Sequence, residues 1–179
     1  MGLLLLTGPP GSGKSSVAPI LARDATPSAI VPGDTFFGFL YRGGIDPWRP
    51  EADEQNTAVI ESAAAAAGRL ARRMHVVFEG VLDPSFLPAF LAAAGLDELD
   101  YAVLLPDVKT CLHRVATRAG HDFADAAATR HMHRQFAAAH LDARHVITDA
   151  PASPGESAAL VRHRRAEGRL TVRRPPAAP

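Results

Sequence analysis

The chain is poor in cysteine, tryptophan and lysine. Its 179 residues include one cysteine, Cys111, and one tryptophan, Trp48. Lysine occurs only at positions 14 and 109, and arginine supplies the other strongly basic side chains. Because a single cysteine excludes an internal disulfide framework, we expect a reducing compartment and a cytoplasmic protein.

The sequence also lacks excess charge and long apolar runs. Its 19 basic and 19 acidic side chains cancel to a formal net charge of zero. There is thus no global field of the kind that attracts nucleic acid or an anionic membrane surface. The first apolar run, at residues 3–6, is too short to span a bilayer. We therefore expect neither nucleic acid nor a membrane as a partner.

A glycine-rich loop with the spacing G-x-x-x-x-G-K-S follows that apolar run. Glycines let the backbone turn and aim N–H groups at phosphate, the lysine reaches the outer phosphates, and the serine hydroxyl binds Mg²⁺. We predict a nucleoside-triphosphate site, with ATP and Mg²⁺ as cofactors and Ser15 as the metal ligand. The alternative is a glycine-rich turn with a solvated lysine. The predicted binding residues are Gly8, Pro9, Pro10, Gly11, Ser12, Gly13, Lys14, Ser15 and Ser16.

Lys14 stands out because the chain otherwise uses arginine. A guanidinium does not replace a compact ammonium between phosphates, so a lysine kept at this position favours a role in phosphate binding. We expect Lys14 to act catalytically by neutralising the phosphates.

Segments of strand and helix character alternate along the chain, which predicts an α/β fold. We expect a three-layer P-loop NTPase fold with a five-stranded parallel sheet flanked by helices. The strands are expected near residues 2–7, 29–31, 76–78, 101–105 and 145–147, and one further short strand near 170–172. We expect a single domain over 1–172 with a helical lid at about 118–140, followed by a disordered tail over 173–179.

Two acidic residues follow predicted strands, at the sheet edge that faces the ligand crevice in open α/β folds. Asp34 is suited to accept a hydroxyl proton during phosphoryl transfer or to hold the magnesium shell, and its alternative role is to cap a helix at Thr35. Glu79 has the position of a Walker-B type carboxylate, and we place it on the substrate side of the site. We interpret Asp83 as a helix N-cap.

The remaining candidates are arginines, aromatics and amides. Arg114 and Arg118 lie one helical turn apart, and residues 130 and 134 repeat that spacing, so phosphate is the natural partner of this group. The alternative is a solvated basic face. His131 and His133 are interpreted as ordinary lid or surface side chains. In the aromatic, glycine-rich segment 33–48 and the helix after it, we predict substrate contacts from Phe37, Arg42 and Gln55, with plain core packing as the alternative.

Together these residues resemble the small P-loop kinases that phosphorylate metabolite hydroxyls. The segment 114–121, RVATRAGH, is similar to the lid entrance of gluconate kinase, and the pair Gly33-Asp34 is similar to the substrate-side aspartate of chloramphenicol phosphotransferase and the zeta-toxin kinases. Overall the chain resembles kinase-like members of the AAA-family ATPases. A serine-bearing segment that gluconate kinase has after its third strand is replaced here by 79–83, EGVLD.

The resemblance implies a role for each matching residue. Arg114 would lie near the adenine or ribose, Arg118 would reach the transferring phosphate, Asp34 would be the base, and Pro151 would border the adenine. The implied function is an ATP-dependent phosphotransferase acting on a hydroxyl of a small molecule such as a sugar, polyol or antibiotic. The alternative functions are an ATP-hydrolysing regulatory NTPase without an acceptor, and a kinase of nucleic acid or nucleotide sugars.

Overall fold

Five parallel strands form the centre of the molecule. The computed structural model describes residues 2–117, 125–148 and 153–174. The strand order is β2-β3-β1-β4-β5, and a sixth strand, β6, pairs antiparallel with β4. The strands are β1 Gly2–Thr7, β2 Ser28–Pro32, β3 His75–Gly80, β4 Glu98–Leu104, β5 Val146–Ile147 and β6 Thr171–Arg173. The predicted fold class is thereby confirmed.

Seven helices connect and flank the strands within the described residues, as the alternating pattern predicts. They are α1 Lys14–Ala22, α2 Asp34–Phe37, α3 Asp53–Ala71, α4 Leu87–Ala94, α5 Val108–Thr117, α6 Ala126–Ala138 and α7 Pro154–Ala166. Short 3-10 turns at Pro50–Ala52 and Pro84–Phe86 precede α3 and α4. The capping box at Ser153 and Glu156 is present, so the local signals at this helix start are sufficient to place it.

The central strand β1 is buried on both faces, because its residues 3–6 are all leucine. Leu3 and Leu5 pack with α3 and α4 on one face, and Leu4 and Leu6 pack with α1 and α7 on the other. Each of the four leucines is at most 1% exposed. Burying one such side chain contributes about 1.5–3 kcal/mol, so this strand anchors both layers.

Strand register brings the predicted site residues to one edge of the sheet. In the parallel ladders Thr7 lies opposite Gly80, and Pro32 lies opposite Glu79. The chain segments that leave β1, β2 and β3 therefore emerge side by side. The glycine-rich loop, Asp34 and Glu79 converge there although they are far apart in sequence.

The last strand runs beyond the predicted domain boundary. Thr171 and Arg173 pair with β4, and the N–H of Arg174 donates to the carbonyl of Asp97 at 2.8 Å. Strand pairing with β4 therefore includes Arg173, and the predicted division into a domain over 1–172 and a tail over 173–179 stays a prediction. Among the described residues, no helix is both long and apolar enough to cross a membrane.

Candidate active site

Close backbone packing shapes the glycine-rich loop between β1 and α1. Gly8 has φ 145° and Gly11 has φ 77°, in the region that favours glycine. A Cβ atom on Gly8 would collide with the carbonyl oxygen of Leu104, and one on Gly11 would collide with that of Cys111. The loop therefore rests directly on the end of β4 and on α5, and a side chain at either glycine would force it away.

Lys14 lies across the loop. Its ammonium donates to the carbonyl of Gly8 at 2.9 Å and to that of Pro9 at 3.1 Å, and it lies 3.4 Å from the hydroxyl of Ser12. The lysine is only 6% exposed. Gly13 is the N-cap of α1 and no described side chain caps this helix, so the positive helix end and the ammonium together favour an anion.

Ser15 and Glu79 meet at the base of the loop. The hydroxyl of Ser15 donates to Oε2 of Glu79 at 3.1 Å. Glu79 is half-buried at the end of β3, beside β1 in the sheet. A serine hydroxyl paired with a carboxylate gives two oxygen donors of the kind that Mg²⁺ prefers. The pair fits a magnesium site next to the phosphates.

Asp34 is held over the end of β3. Its Oδ1 accepts the N–H of Val81 at 3.1 Å. Gly33 occupies the N-cap position of α2, and its N–H donates to the carbonyl of Glu79 at 2.7 Å. Asp34 therefore does not serve as the helix cap that was its alternative role. A Cβ on Gly80 would lie 3.3 Å from this carboxylate, so a glycine here leaves the approach open.

A reciprocal contact fixes the segment that follows β3. The hydroxyl of Thr7 donates to the carbonyl of Leu82 and accepts its N–H, both at 3.0 Å. Asp83 then accepts the N–H of Ser85 at 2.9 Å, which confirms the predicted N-cap. The clamp holds the segment carrying Val81 and Asp83 against the end of β1.

One cavity of about 1060 Å³ joins the glycine-rich loop and Asp34, and Glu79 is not among its lining residues. We call its two parts the loop end and the β2–β3 end, because β4 and β2 lie on opposite sides of β1. The loop end is lined by Pro10, Gly11, Gly13, Lys14, Ser15, Ser16, Arg114, Val115 and Thr117. The β2–β3 end is lined by Asp34, Phe37, Pro47, Trp48, Arg49, Pro50, Asp53, Asn56, Thr57, Ile60, Val81, Asp83, Ser85 and Phe86. Helix α6 adds His131, Met132, Gln135 and Phe136.

Several predicted site residues are not brought to the cavity. Arg42 is exposed in the segment after α2 and is not among the lining residues. Gln55 instead binds the backbone of Ile45, accepting its N–H at 2.8 Å and donating to its carbonyl at 2.7 Å. Gln55 thus holds the loop before α3, since its amide matches both backbone groups. Arg118 and Pro151 lie outside the described residues.

Arg114 lies beside the phosphate loop. Its Nη1 is 3.4 Å from the carbonyl oxygens of both Gly11 and Ser12. It is half-buried and contributes to the loop end of the cavity. Its positive charge therefore faces the position predicted for nucleotide phosphates. Arg130 and Arg134, by contrast, are exposed on α6 and do not line the cavity.

Helix α6 covers one side of the cavity and is anchored in the core. Phe136 is 2% exposed, and Nε2 of His133 lies 2.9 Å from the carbonyl of Pro106. His131, predicted to be an ordinary lid or surface side chain, is among the residues that line the cavity. The predicted lid at about 118–140 stays a prediction, and its residues 118–124 lie outside the described residues.

The lone cysteine is a packing residue. Cys111 is buried on α5 beneath the loop. Burial raises the pKa of its thiol to about 11. A thiol that is buried and protonated is a poor nucleophile, so Cys111 serves packing and not catalysis.

The β2–β3 end contains lining residues that sequence reasoning missed. Asp53, Thr57 and Ile60 come from the first turns of α3, and Ser85 and Phe86 from the turn before α4. The acidic start of α3 is fully explained by the helix dipole, so its pattern carries no signal for a site. Only the packing of α3 against α4 and the sheet reveals them.

The geometry places the molecule in the P-loop NTPase class, since a phosphate loop links the central strand of a parallel sheet to α1. Residues 3–143 match the model of an AAA-domain family, and the chain belongs to this family. No curated protein matches the sequence significantly.

Solved structures share the fold over nearly the whole chain. A tunicamycin resistance protein from Deinococcus radiodurans has a TM-score of 0.65 at 16% identity, covering 98% of this chain and 99% of that one. A gluconokinase from Sinorhizobium meliloti 1021 has a TM-score of 0.62 at 20% identity, covering 93% and 92%. A sugar kinase from Janibacter sp. HTCC2649 has a TM-score of 0.67 at 18% identity, covering 95% of each chain. The predicted resemblance to small P-loop kinases is confirmed at the level of the fold.

Proposed function

We propose that the protein transfers the γ-phosphoryl group of ATP to a hydroxyl of a small molecule such as a sugar, polyol or antibiotic. One observation carries the proposal: Asp34 lines the same cavity as Lys14 and Ser15 of the phosphate loop. A carboxylate facing the phosphate loop across a shared cavity is suited to act as general base toward an acceptor hydroxyl. Two of the structural neighbours are described as a gluconokinase and a sugar kinase.

The chemistry needs positioning and charge neutralisation more than covalent help from the protein. Lys14 would neutralise the outer phosphates from inside the loop. Asp34 would take the proton of the acceptor hydroxyl as its oxygen bonds to the γ-phosphorus and ADP leaves. Arg114 would stabilise the bound phosphates from the α5 side of the loop, a different role from the adenine or ribose contact that the resemblance implies. The cavity wall formed by α6 would exclude water, which otherwise competes as acceptor.

Magnesium, when bound, neutralises charge on the phosphate oxygens. The hydroxyl of Ser15 would be its protein ligand, and Glu79 would hold the water shell around it, because the two side chains are in hydrogen-bond contact. This assignment gives Glu79 a role at the metal in addition to the substrate-side role predicted from the sequence.

Two assignments depend on the family resemblance alone. Arg118 at the transferring phosphate and Pro151 at the adenine are predictions for residues outside the described ranges. A cytoplasmic location is likewise part of the proposal, supported by the lone buried cysteine.

The test is transfer of label from γ-labelled ATP to pooled sugars, polyols, nucleosides and antibiotics. We expect a labelled organic phosphate whose formation depends on Asp34. Release of inorganic phosphate alone, at the same rate with and without the pool, would instead identify a regulatory NTPase without an acceptor. Asp97→Asn is the matched control, because Asp97 is exposed and distant from the cavity lining.

A further inference from the structure

The β2–β3 end of the cavity has apolar walls from three directions. Phe37 comes from α2, Trp48 from the loop before α3, and Phe86 from the turn before α4. Each of these rings is partly buried. Aromatic walls bind a ligand through apolar contact area, which a fully hydroxylated sugar offers only in part.

Acidic groups dominate the charge at the same end. Asp34, Asp53 and Asp83 line it, and the only cationic side chain among its described lining residues is Arg49. Arg49 is 63% exposed along its side chain and lies 3.8 Å from Oδ2 of Asp46. Solvent exposure and the neighbouring Asp46 both weaken the electrostatic attraction between Arg49 and an anionic ligand.

Asn56 adds a buried polar side chain whose hydrogen bonding is incomplete. It is 6% exposed and lines the cavity, and its Nδ2 donates to the carbonyl of Pro47 at 2.7 Å. Its Oδ1 is buried without a hydrogen-bond partner among the described residues. The unmet group beside the cavity is therefore an acceptor, which calls for a hydrogen-bond donor and disfavours an anion.

We propose that this end selects an acceptor alcohol with an apolar body and no anionic group, and that a positive charge on the acceptor strengthens binding. The inference rests on the proposed kinase function for the identity of the ligand as phosphoryl acceptor. It separates this chain from kinases of sugar acids, whose carboxylate would meet three aspartates here. An amine on the acceptor would meet the same aspartates favourably.

Three matched aromatic alcohols test the charge preference: 4-(hydroxymethyl)benzylamine, 4-methylbenzyl alcohol and 4-(hydroxymethyl)benzoate. They share a ring and a hydroxymethyl group and differ in para charge. Trp48 is the only tryptophan of the chain, so its fluorescence reports binding at this end. We expect the benzoate to bind about tenfold more weakly than the amine, because the two ligands carry opposite charges beside three carboxylates, of which Asp34 and Asp53 are exposed and Asp83 is half-buried.

A pair of variants assigns the preference to the cavity. Asp53→Asn should reduce the advantage of the amine over the neutral alcohol several-fold. Glu51→Gln is the matched control, because it removes the same charge two residues earlier from an exposed side chain outside the cavity lining. Circular dichroism of both variants establishes that each remains folded.

The outcomes separate this inference from the proposed function. Equal binding of the three probes, stronger binding of the benzoate, or no response of Trp48 at millimolar concentration would overturn the substrate class. Transfer of label from ATP to sugar acids would overturn it too, while leaving the kinase proposal intact. The expected order of binding without transfer to any alcohol would support the charge preference and refute the kinase.

Discussion

The two ends of the cavity are built in different ways. The loop end comes mainly from one contiguous segment, residues 10–16, with Arg114 beside it, and the Lys14 and Arg114 side chains donate to backbone carbonyls of the loop. The β2–β3 end comes from separate segments near residues 34–37, 47–60 and 81–86, and its lining consists of side chains. One end is thus a local structure, and the other exists only when the sheet and α3 are assembled.

This difference has a functional meaning. Backbone groups recognise phosphate whatever the rest of the ligand is, so the loop end suits the part of the reaction common to all P-loop kinases. Side chains on separate segments can change independently, so the β2–β3 end is where specificity is set. Substitutions at the two ends should therefore change different kinetic parameters.

The largest expected effect is at the loop end. Lys14→Ala should reduce nucleotide turnover below detection, because no other lysine lies in the loop to meet the outer phosphates. Steady-state ATP turnover with Mg²⁺ measures it. Arginine at this position should restore little, since its planar fork does not fit where a compact ammonium sits.

Lys109→Ala is the matched control for this variant. Lys109 is the other lysine of the chain and is exposed at the start of α5. It should turn over ATP like the unmodified protein. Normal turnover in Lys14→Ala would remove the P-loop assignment and with it the distinction between the two ends.

Asp34→Asn tests the residue of the β2–β3 end that is proposed to act as the general base. It should lower phosphoryl transfer about 10²–10⁴-fold, the usual range for a positioned general base, while ATP affinity stays within a few-fold. Asparagine keeps an oxygen that can accept the N–H of Val81, so the local structure should survive. If ATP affinity collapses and transfer per bound ATP is normal, Asp34 belongs to the magnesium site instead.

The difference between the two ends also explains which features of the structure can be predicted from the sequence. The glycine-rich loop, the alternation of strands and helices and the cap at Asp83 depend on short segments, and the structure contains each of them. The β2–β3 end depends on long-range packing. Phe37 and Asn56 line the cavity, whereas Gln55, which was predicted to contact substrate, binds the backbone of Ile45.

Helical geometry gives the physical reason for this difference. Neighbouring residues on a helix point about 100° apart, so two adjacent amides need not both face the same cavity. Which one does so is decided by how α3 rotates against the sheet, and the alanine-rich face that sets this rotation carries no mark of function. The sequence does not single out Asp53 as a lining residue either, because an acidic residue is typical of any helix start.

A smaller effect is expected on the α5 side of the loop end. Arg114→Ala should weaken ATP binding about tenfold and change the rate of transfer from bound ATP much less, because the guanidinium lies beside the loop carbonyls. Isothermal titration with a non-hydrolysable ATP analogue measures it. Arg130→Ala, an exposed arginine on α6, should bind the analogue normally. A loss confined to the rate of transfer would assign Arg114 to the transferring phosphoryl group.

The smallest expected effect is at the β2–β3 end. Gln55→Ala removes two hydrogen bonds to Ile45 and should loosen the loop that carries Trp48. At about 0.5–1.5 kcal/mol for each bond, the free energy of unfolding should fall by roughly 1–3 kcal/mol. The KM for the acceptor should rise a few-fold while ATP affinity is unchanged, because the loop end has its own contacts. Glu54→Ala, at the neighbouring exposed position, is the control. If Gln55→Ala weakened ATP binding as much as it raised the KM for the acceptor, the two ends would be mechanically coupled. A substitution at the β2–β3 end would then change nucleotide binding together with acceptor specificity.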